Sequence, residues 1–368
     1  MSQAAAAPFP LFNDAALTTR AEVRQGAAYY PLFDWLRAAL AITVMLTHDK
    51  VIGWHRAGGF AVEVFFALSG WLIGGILLNT KRADLPRFFF NRTVRIWVPY
   101  FFAVALLLTA SVLHRDLLNA KWWEFVFYKL TFVYNLFGTD QLATHHAEMP
   151  LQGTLNHLWS INAEEQFYLV APLILVLAAN RAGRSVLLWC VLAGVAWATK
   201  TYAAIVFGVL AAVTAKRFGD FHLTTEVRAL LVFGALASAA GLTQGFDFER
   251  LSAICAICIV LLSAVPGTRN PLGELAGGMS YQLYLNHWIG VFVANVIFAK
   301  FGMRDSPERQ AVAAALNLGI AVVFYWAIDR RLHAHRARFA TPARERLATV
   351  TSYGVVLTGC AVSLLFYR

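Results

Sequence analysis

Long apolar stretches recur along nearly the whole chain, separated by short polar loops. They fall at 32–51, 60–79, 96–113, 158–179, 185–199, 201–215, 228–243, 250–266, 276–298, 310–328 and 349–366. A helix needs about 20 apolar residues to cross a bilayer core. The pattern therefore predicts an all-α polytopic membrane protein with about 10–11 transmembrane helices. One further segment, "WWEFVFYKLTFVYNLF" (122–137), is apolar but carries Glu124 and Lys129. It is read as a re-entrant or interfacial helix, because a full crossing would break the charge alternation of the loops around it.

Composition agrees with that pattern. Of 368 residues, 59% are hydrophobic and 14% charged, against about 25% charged in soluble domains. No repeat, low-complexity tract or glycine-rich phosphate loop is present, and no composition break marks a soluble domain. Residues 32–366 read as a single integral membrane domain behind a cytoplasmic N-terminal tail, 1–31. No long apolar run precedes Arg20 and Arg24, so a cleaved signal peptide is not expected. Cys190, Cys255, Cys258 and Cys360 all lie in apolar stretches. The CxxC of Cys255 and Cys258, with no second pair nearby, reads as packing thiols, and no metal site is assigned.

The net charge of +10 changes the picture only in where it sits. Lys81, Arg82, Arg87, Arg92 and Arg95 crowd loop 80–95, and Arg330, Arg331, Arg336, Arg338, Arg344 and Arg346 crowd 329–348. The positive-inside rule puts both loops and the N-terminus in the cytoplasm. Loops 138–157, with His145 and His146, and 299–309 then lie outside. Topology accounts for the basic balance, and no nucleic-acid partner is needed; the partner implied is the lipid bilayer.

Ionisable side chains at membrane depth are costly and are functional candidates by default. "DWLRAALAITVMLTHDK" (34–50) holds Arg37 and His48 eleven residues apart. A helix would place them on nearly one face, separated by about 16 Å along its axis. A histidine bonded between helices is the plain alternative for His48. "RFFFNRTVRIWVPYF" (87–101) puts Arg92 and Arg95 on one face, as a topology anchor or as a bidentate clamp for phosphate. "LWSINAEEQFYLVAPL" (158–173) buries Glu164 and Glu165, which point about 100° apart, so one can face a cavity while the other binds neighbouring helices. In "SYQLYLNHW" (280–288), Ser280, Tyr284 and His287 form one polar stripe.

Together these segments resemble the membrane acyltransferase-3 family, bacterial multi-span enzymes that O-acylate carbohydrates and some secondary metabolites. The resemblance rests on five motifs in order. They are Arg37-x10-His48, "FFALSGWLI" (65–73), "RTVRIWVPY" (92–100), "LWSINAEEQFYL" (158–169) and "MSYQLYLNH" (279–287). It spans about 32–330. Two positions depart from the family pattern: Asn91 stands where a second arginine is common, and Asp49 where a small or aromatic residue follows the histidine. The first is expected to weaken the grip on the donor, and the second to alter the acid–base character of His48. Some members carry an esterase-like domain after the last span, which this chain, ending at Arg368, is expected to lack.

The resemblance implies a bacterial inner-membrane, multi-pass enzyme using acetyl-CoA or another acyl-CoA as co-substrate, with no permanently bound cofactor. Its acceptor would be a carbohydrate hydroxyl, on a cell-surface polysaccharide or its lipid-linked precursor. Arg92 and Arg95 would hold the CoA phosphates. His48 would act as general base, or as the nucleophile of an acyl-imidazole, two routes the sequence leaves open. Arg37 would contact the donor or pair with Asp34. Glu165 or Glu164 would orient an imidazole or bind sugar hydroxyls. Trp159 would stack on a sugar or anchor the membrane belt, and Tyr284 and His287 would line the substrate site. Ser69 and Gly70 read as helix-packing residues. The rival class is a proton-coupled transporter or exporter, which buried His, Glu and Arg would also suit. Against it, the sequence has no inverted repeat and gives the arginine pair no task.

Overall fold

The computed structural model describes residues 29–366. Residues 1–28, with Arg20 and Arg24, and the side chain of Arg181 lie outside the described set. In chain order the helices are α1 (Pro31–His48), α2 (Ala57–Asn79), α3 (Leu85–Leu113), α4 (Ala120–Leu130) and the single turn α5 (Thr139–Gln141). They continue with α6 (Trp159–Pro172), α7 (Val186–Thr199), α8 (Ala203–Phe218), α9 (Thr225–Thr243) and α10 (Phe248–Ser263). The last are α11 (Pro271–Asn286), α12 (Trp288–Ala299), α13 (Pro307–Phe324), α14 (Arg330–Phe339) and α15 (Pro342–Phe366). Helix makes up 83% of the described residues, with no strand among them. The all-α, multi-pass expectation holds.

Among the described residues, fewer helices than the ten or eleven expected are by themselves long and apolar enough to cross a bilayer. Five helical stretches are long and apolar enough to span a bilayer: Ala57–Asn79, Arg82–Leu113, Thr225–Thr243, Pro307–Phe339 and Pro342–Phe366. The bent pair α11–α12 makes a sixth. All eleven apolar segments are helical, but α7, α8 and α10 have only 14 to 16 residues. At 1.5 Å per residue these reach less than 25 Å, short of the roughly 30 Å core. α1 has the length, but Asp34 and Arg37 interrupt its apolar run.

Segment 122–137 is not a full-length span. It folds as α4, 11 residues, followed by a π-helical turn at Tyr134–Gly138. Its charges survive burial because each has partners. Glu124 accepts from Lys121 Nζ and from Tyr128 Oη, both at 2.8 Å. Lys129, fully buried, donates to the Leu155 carbonyl at 2.9 Å and lies 3.5 Å above the Tyr134 ring.

Small residues set the close helix contacts. A Cβ at Gly70 on α2 would sit 2.1 Å from the Ile205 carbonyl oxygen of α8, and one at Gly208 would sit 2.2 Å from that of Ala67. Only glycine lets these two backbones touch. On α11, a Cβ at Gly277 would come within 2.7 Å of Asp34 Oδ1, so this glycine lets α11 pack flat against the polar end of α1. The four cysteines are free, and Cys255 and Cys258 are buried, as packing thiols would be.

The segment expected to be one span, 276–298, is broken. α11 and α12 meet at a 61° bend, and His287 is the residue between them. The break is stabilised locally: the His287 ring binds the Tyr284 carbonyl, and the Gly290 amide donates to Asn317 Oδ1 at 2.8 Å. Irregular backbone at membrane depth persists where protein groups take up its freed polar atoms.

Candidate active site

A cavity opens between α1, α2, α3, α6 and α11, with charge at one end and hydroxyls at the other. Arg37, Arg92 and Arg95 supply the charge; Ser160 and Tyr284 supply the hydroxyls. Arg37 lies 3.5 Å from Asp34, its neighbour one turn earlier on α1, and also lines the cavity. Of the two roles expected of it, the pairing with Asp34 is present. Arg92 is buried, its guanidinium 5.4 Å from the Tyr168 ring and 5.7 Å from that of Phe88. Arg95, one turn on, lines the same wall. α3 runs unbroken from the basic loop into the apolar stretch, and this brings both guanidinia to the cavity. Asn91 is buried but absent from the lining, so the missing second arginine alters a helix contact and not the cavity wall.

The two glutamates divide as their 100° offset requires. Glu164 faces the cavity, accepting from Ser69 Oγ at 2.6 Å and from Tyr168 Oη at 3.2 Å. Glu165 turns toward α3 and accepts from Trp97 Nε1 at 2.7 Å. Ser69 therefore does more than permit packing: it orients the cavity carboxylate. Trp159 meets Phe66 edge-on at 5.9 Å inside the bundle.

Beyond Ser160 and Tyr284 lies a cluster of three imidazoles, His48, His157 and His287. One ring nitrogen from each lies within 4.8 Å of the others. The elements deliver them differently. His48 is the last residue of α1, His157 ends the loop before α6, and His287 sits in the α11–α12 break. That loop is contorted: Leu151, Gln152, Gly153 and Leu155 all have positive φ, between 43° and 80°. Such conformations cost about 1–3 kcal/mol each for residues other than glycine. Lys129, bonded to the Leu155 carbonyl, is one of the contacts that hold the loop in place.

The hydrogen bonds assign the tautomers. His287 Nδ1 lies 3.0 Å from the Tyr284 carbonyl, which can only accept, so Nδ1 carries the proton and Nε2 is bare. His48 Nδ1 lies 3.0 Å from that Nε2 and must donate to it. His48 Nε2 is then the nitrogen left with a lone pair. The rings of His48 and His287 are nearly coplanar in orientation, 6° apart, as a ring-to-ring hydrogen bond favours. His157 Nε2 reaches the same Tyr284 carbonyl at 3.0 Å, while Tyr284 Oη donates to the His157 carbonyl at 2.8 Å and pairs with Ser160 Oγ at 2.6 Å. The group that orients the imidazole is thus a backbone carbonyl at a helix break, and neither Glu164 nor Glu165.

Asp49, next to His48, turns away. It forms a buried pair with Arg309 at 2.5 Å, and Gln310 binds its carbonyl at 3.2 Å. The expected effect on His48 is replaced by an anchoring one: the pair ties the end of α1 to α13. Sequence reading missed His157 and Ser160. The histidine sits only two residues before Trp159, but as a loop residue it carried no span-depth signal.

Comparison with known proteins fits this geometry. The family model described as "Acyltransferase domain" (acyltransferase family 3) matches residues 30–326. The peptidoglycan O-acetyltransferase OatA of Listeria monocytogenes is 26% identical over 281 residues, 71% of this chain and 40% of that protein. The putative peptidoglycan O-acetyltransferase YrhL of Bacillus subtilis is 31% identical over 166 residues, 40% of this chain and 24% of that protein. The O-acetyltransferase OatA of Staphylococcus aureus is 28% identical over 166 residues, 44% of this chain and 27% of that protein. The chain thus spans well under half the length of these relatives. No solved structure matches. The match runs over most of the chain, and the chain belongs to this family of membrane acyltransferases.

Proposed function

We propose that the protein transfers an acyl group, acetyl in the simplest case, from cytoplasmic acyl-CoA to a carbohydrate hydroxyl of the bacterial cell envelope. The observation that carries this reading is the hydrogen-bond chain ending in a bare His48 Nε2, beside a cavity whose far end holds three arginines. Arg92, Arg95 and Arg37 suit the phosphates of CoA, since guanidinium forks match phosphate oxygens. The pantetheine arm would run up the cavity past Glu164 and Ser69, carrying the thioester toward Tyr284.

In the reaction, His48 Nε2 takes the proton of the acceptor hydroxyl as its oxygen attacks the thioester carbonyl. The C–O bond forms, the C–S bond breaks, and the imidazolium returns its proton to the departing thiolate. His287 holds the His48 ring in the required tautomer and stabilises the charge that forms on it. His48 is exposed at the end of α1, so an acceptor reaches it from the side opposite the arginines. The enzyme would then acylate outside while its donor stays inside. The peptidoglycan named for the relatives makes a glycan of the cell wall or surface the acceptor class to test first.

Labelled acetyl-CoA incubated with the purified protein and a panel of envelope glycans tests the chemistry. Label should appear in an ester of one glycan, with thiol released in equal amount. No transfer to any carbohydrate, with thioester intact, would overturn the reading; label trapped on His48 without acceptor would replace base by nucleophile. Cysteines placed at the exposed Thr144 and Thr341 test the sidedness. An impermeant thiol reagent should label Thr144→Cys in intact cells, and Thr341→Cys only after lysis. The reverse pattern would place the acceptor in the cytoplasm.

A further inference from the structure

We propose that His48, His157 and His287 also form a binding site for a divalent transition-metal ion such as Zn2+, and that a bound ion inhibits the enzyme. The three rings offer one nitrogen each within a 4.8 Å circle. Zinc–imidazole bonds of about 2.0–2.1 Å place ligand nitrogens about 3.3 Å apart in a tetrahedral site, so movements on the order of 1 Å complete the geometry. His48 Nδ1 and His287 Nε2 are already at 3.0 Å.

The surroundings also suit metal. Ligating histidines usually donate their other ring N–H to a backbone carbonyl, which fixes the ring and raises its basicity. Here the Tyr284 carbonyl receives that bond from His287 Nδ1 and from His157 Nε2, both at 3.0 Å. The nitrogens left to face the ion are His287 Nε2 and His157 Nδ1. The cluster grades from buried His287 through half-buried His157 to exposed His48, which provides an entry path and an open fourth position. Imidazole is a suitable donor for zinc, cobalt, nickel and copper. His157 lies on a loop of strained backbone, and its backbone bonds with Tyr284 hold its ring beside the pair.

Inhibition follows from the tautomers. The nitrogen of His48 nearest the other two rings is Nδ1, the one that donates to His287 in the metal-free chain. To ligate, Nδ1 must lose its proton to Nε2, and Nε2 is the nitrogen the reaction needs bare. His287 Nε2, the acceptor that orients His48, is taken by the ion at the same time. Metal binding and proton abstraction therefore exclude each other. Binding stands apart from the proposed function; only the inhibition rests on it.

The test uses the full chain in detergent with a tag free of histidine, stripped by chelator. Co2+ titration should give a visible ligand-field band saturating at one ion per chain, displaced by Zn2+. His157→Asn should weaken Co2+ affinity at least about tenfold with an unchanged melting profile and elution volume. His287→Gln serves as the second variant if the first unfolds. Absence of a saturable band in the wild-type chain, or a band unaffected by both variants, would overturn the site. If transfer activity is present, Zn2+ should inhibit it reversibly, and His157→Asn should shift the inhibition to higher Zn2+ by the same factor. A wild-type enzyme that binds Zn2+ at this site with undiminished activity would overturn the inhibition alone.

Discussion

The two ends of the site are built on different physics. At the arginine end, Arg92 and Arg95 come from one helix at i and i+3, with Arg37 facing them from α1. Their purpose is charge, which acts over several ångströms and tolerates small displacements. At the histidine end, three rings from separate parts of the chain meet through bonds near 3.0 Å whose direction fixes each proton. Charge can be placed by local pattern, whereas a proton chain needs tertiary precision. The arginine end should therefore fail gradually when damaged, and the histidine end sharply.

The largest effect is expected at His48. His48→Ala should lower kcat about 10²- to 10⁴-fold, the range of general base catalysis, with normal membrane insertion. An active His48→Ala enzyme at wild-type abundance would end the role assigned to it. His287→Gln comes next: it keeps a polar side chain but removes the acceptor ring that sets the His48 tautomer. Turnover should drop more than about tenfold while the KM for acyl-CoA stays within a few-fold, since the arginine end is untouched. A variant altered in donor KM instead would make His287 a donor-site residue.

Arg95→Ala should be the gentler loss. Removing one charged hydrogen bond costs about 1.5–3 kcal/mol, so the KM for acyl-CoA should rise about ten- to a hundred-fold with the acceptor KM nearly unchanged. Added salt should weaken donor binding in the wild type as well. An unmoved donor KM would return Arg92 and Arg95 to topology alone. The smallest effect is expected at Glu165, which accepts from Trp97 and lies outside the cavity lining. Glu165→Gln keeps an acceptor for the indole and should leave turnover within a few-fold, whereas Glu164→Gln disturbs a cavity wall. A steep loss in Glu165→Gln would restore to it the catalytic role that the sequence suggested.

Membrane character, helix content and the arginine end were legible in the sequence because each depends on local spacing. Apolar runs read directly as helices, and the i, i+3 arginines read as one face. The pair at 164 and 165 announced a division of labour through geometry alone, but which carboxylate faced the cavity depended on how α6 is rotated against α3. Helix rotation is set by packing between segments distant in sequence, at contacts such as Gly70 against Ile205 and Gly277 against Asp34.

The histidine end was only half legible. His48 and His287 stood out at membrane depth, but His157 looked like any loop residue, and nothing in 276–298 announced a break at His287. An apolar run specifies that a segment is helical and buried, since hydrophobicity and backbone hydrogen bonding are satisfied one segment at a time. It does not specify where the helix yields to let the His287 ring bind the Tyr284 carbonyl. Nor does it say that His48, His157 and His287, brought by α1, a strained loop and a broken span, share one proton chain. The bonds that join the rings, His48 to His287 and His157 to Tyr284, link groups more than a hundred residues apart, and only the tertiary structure decided them.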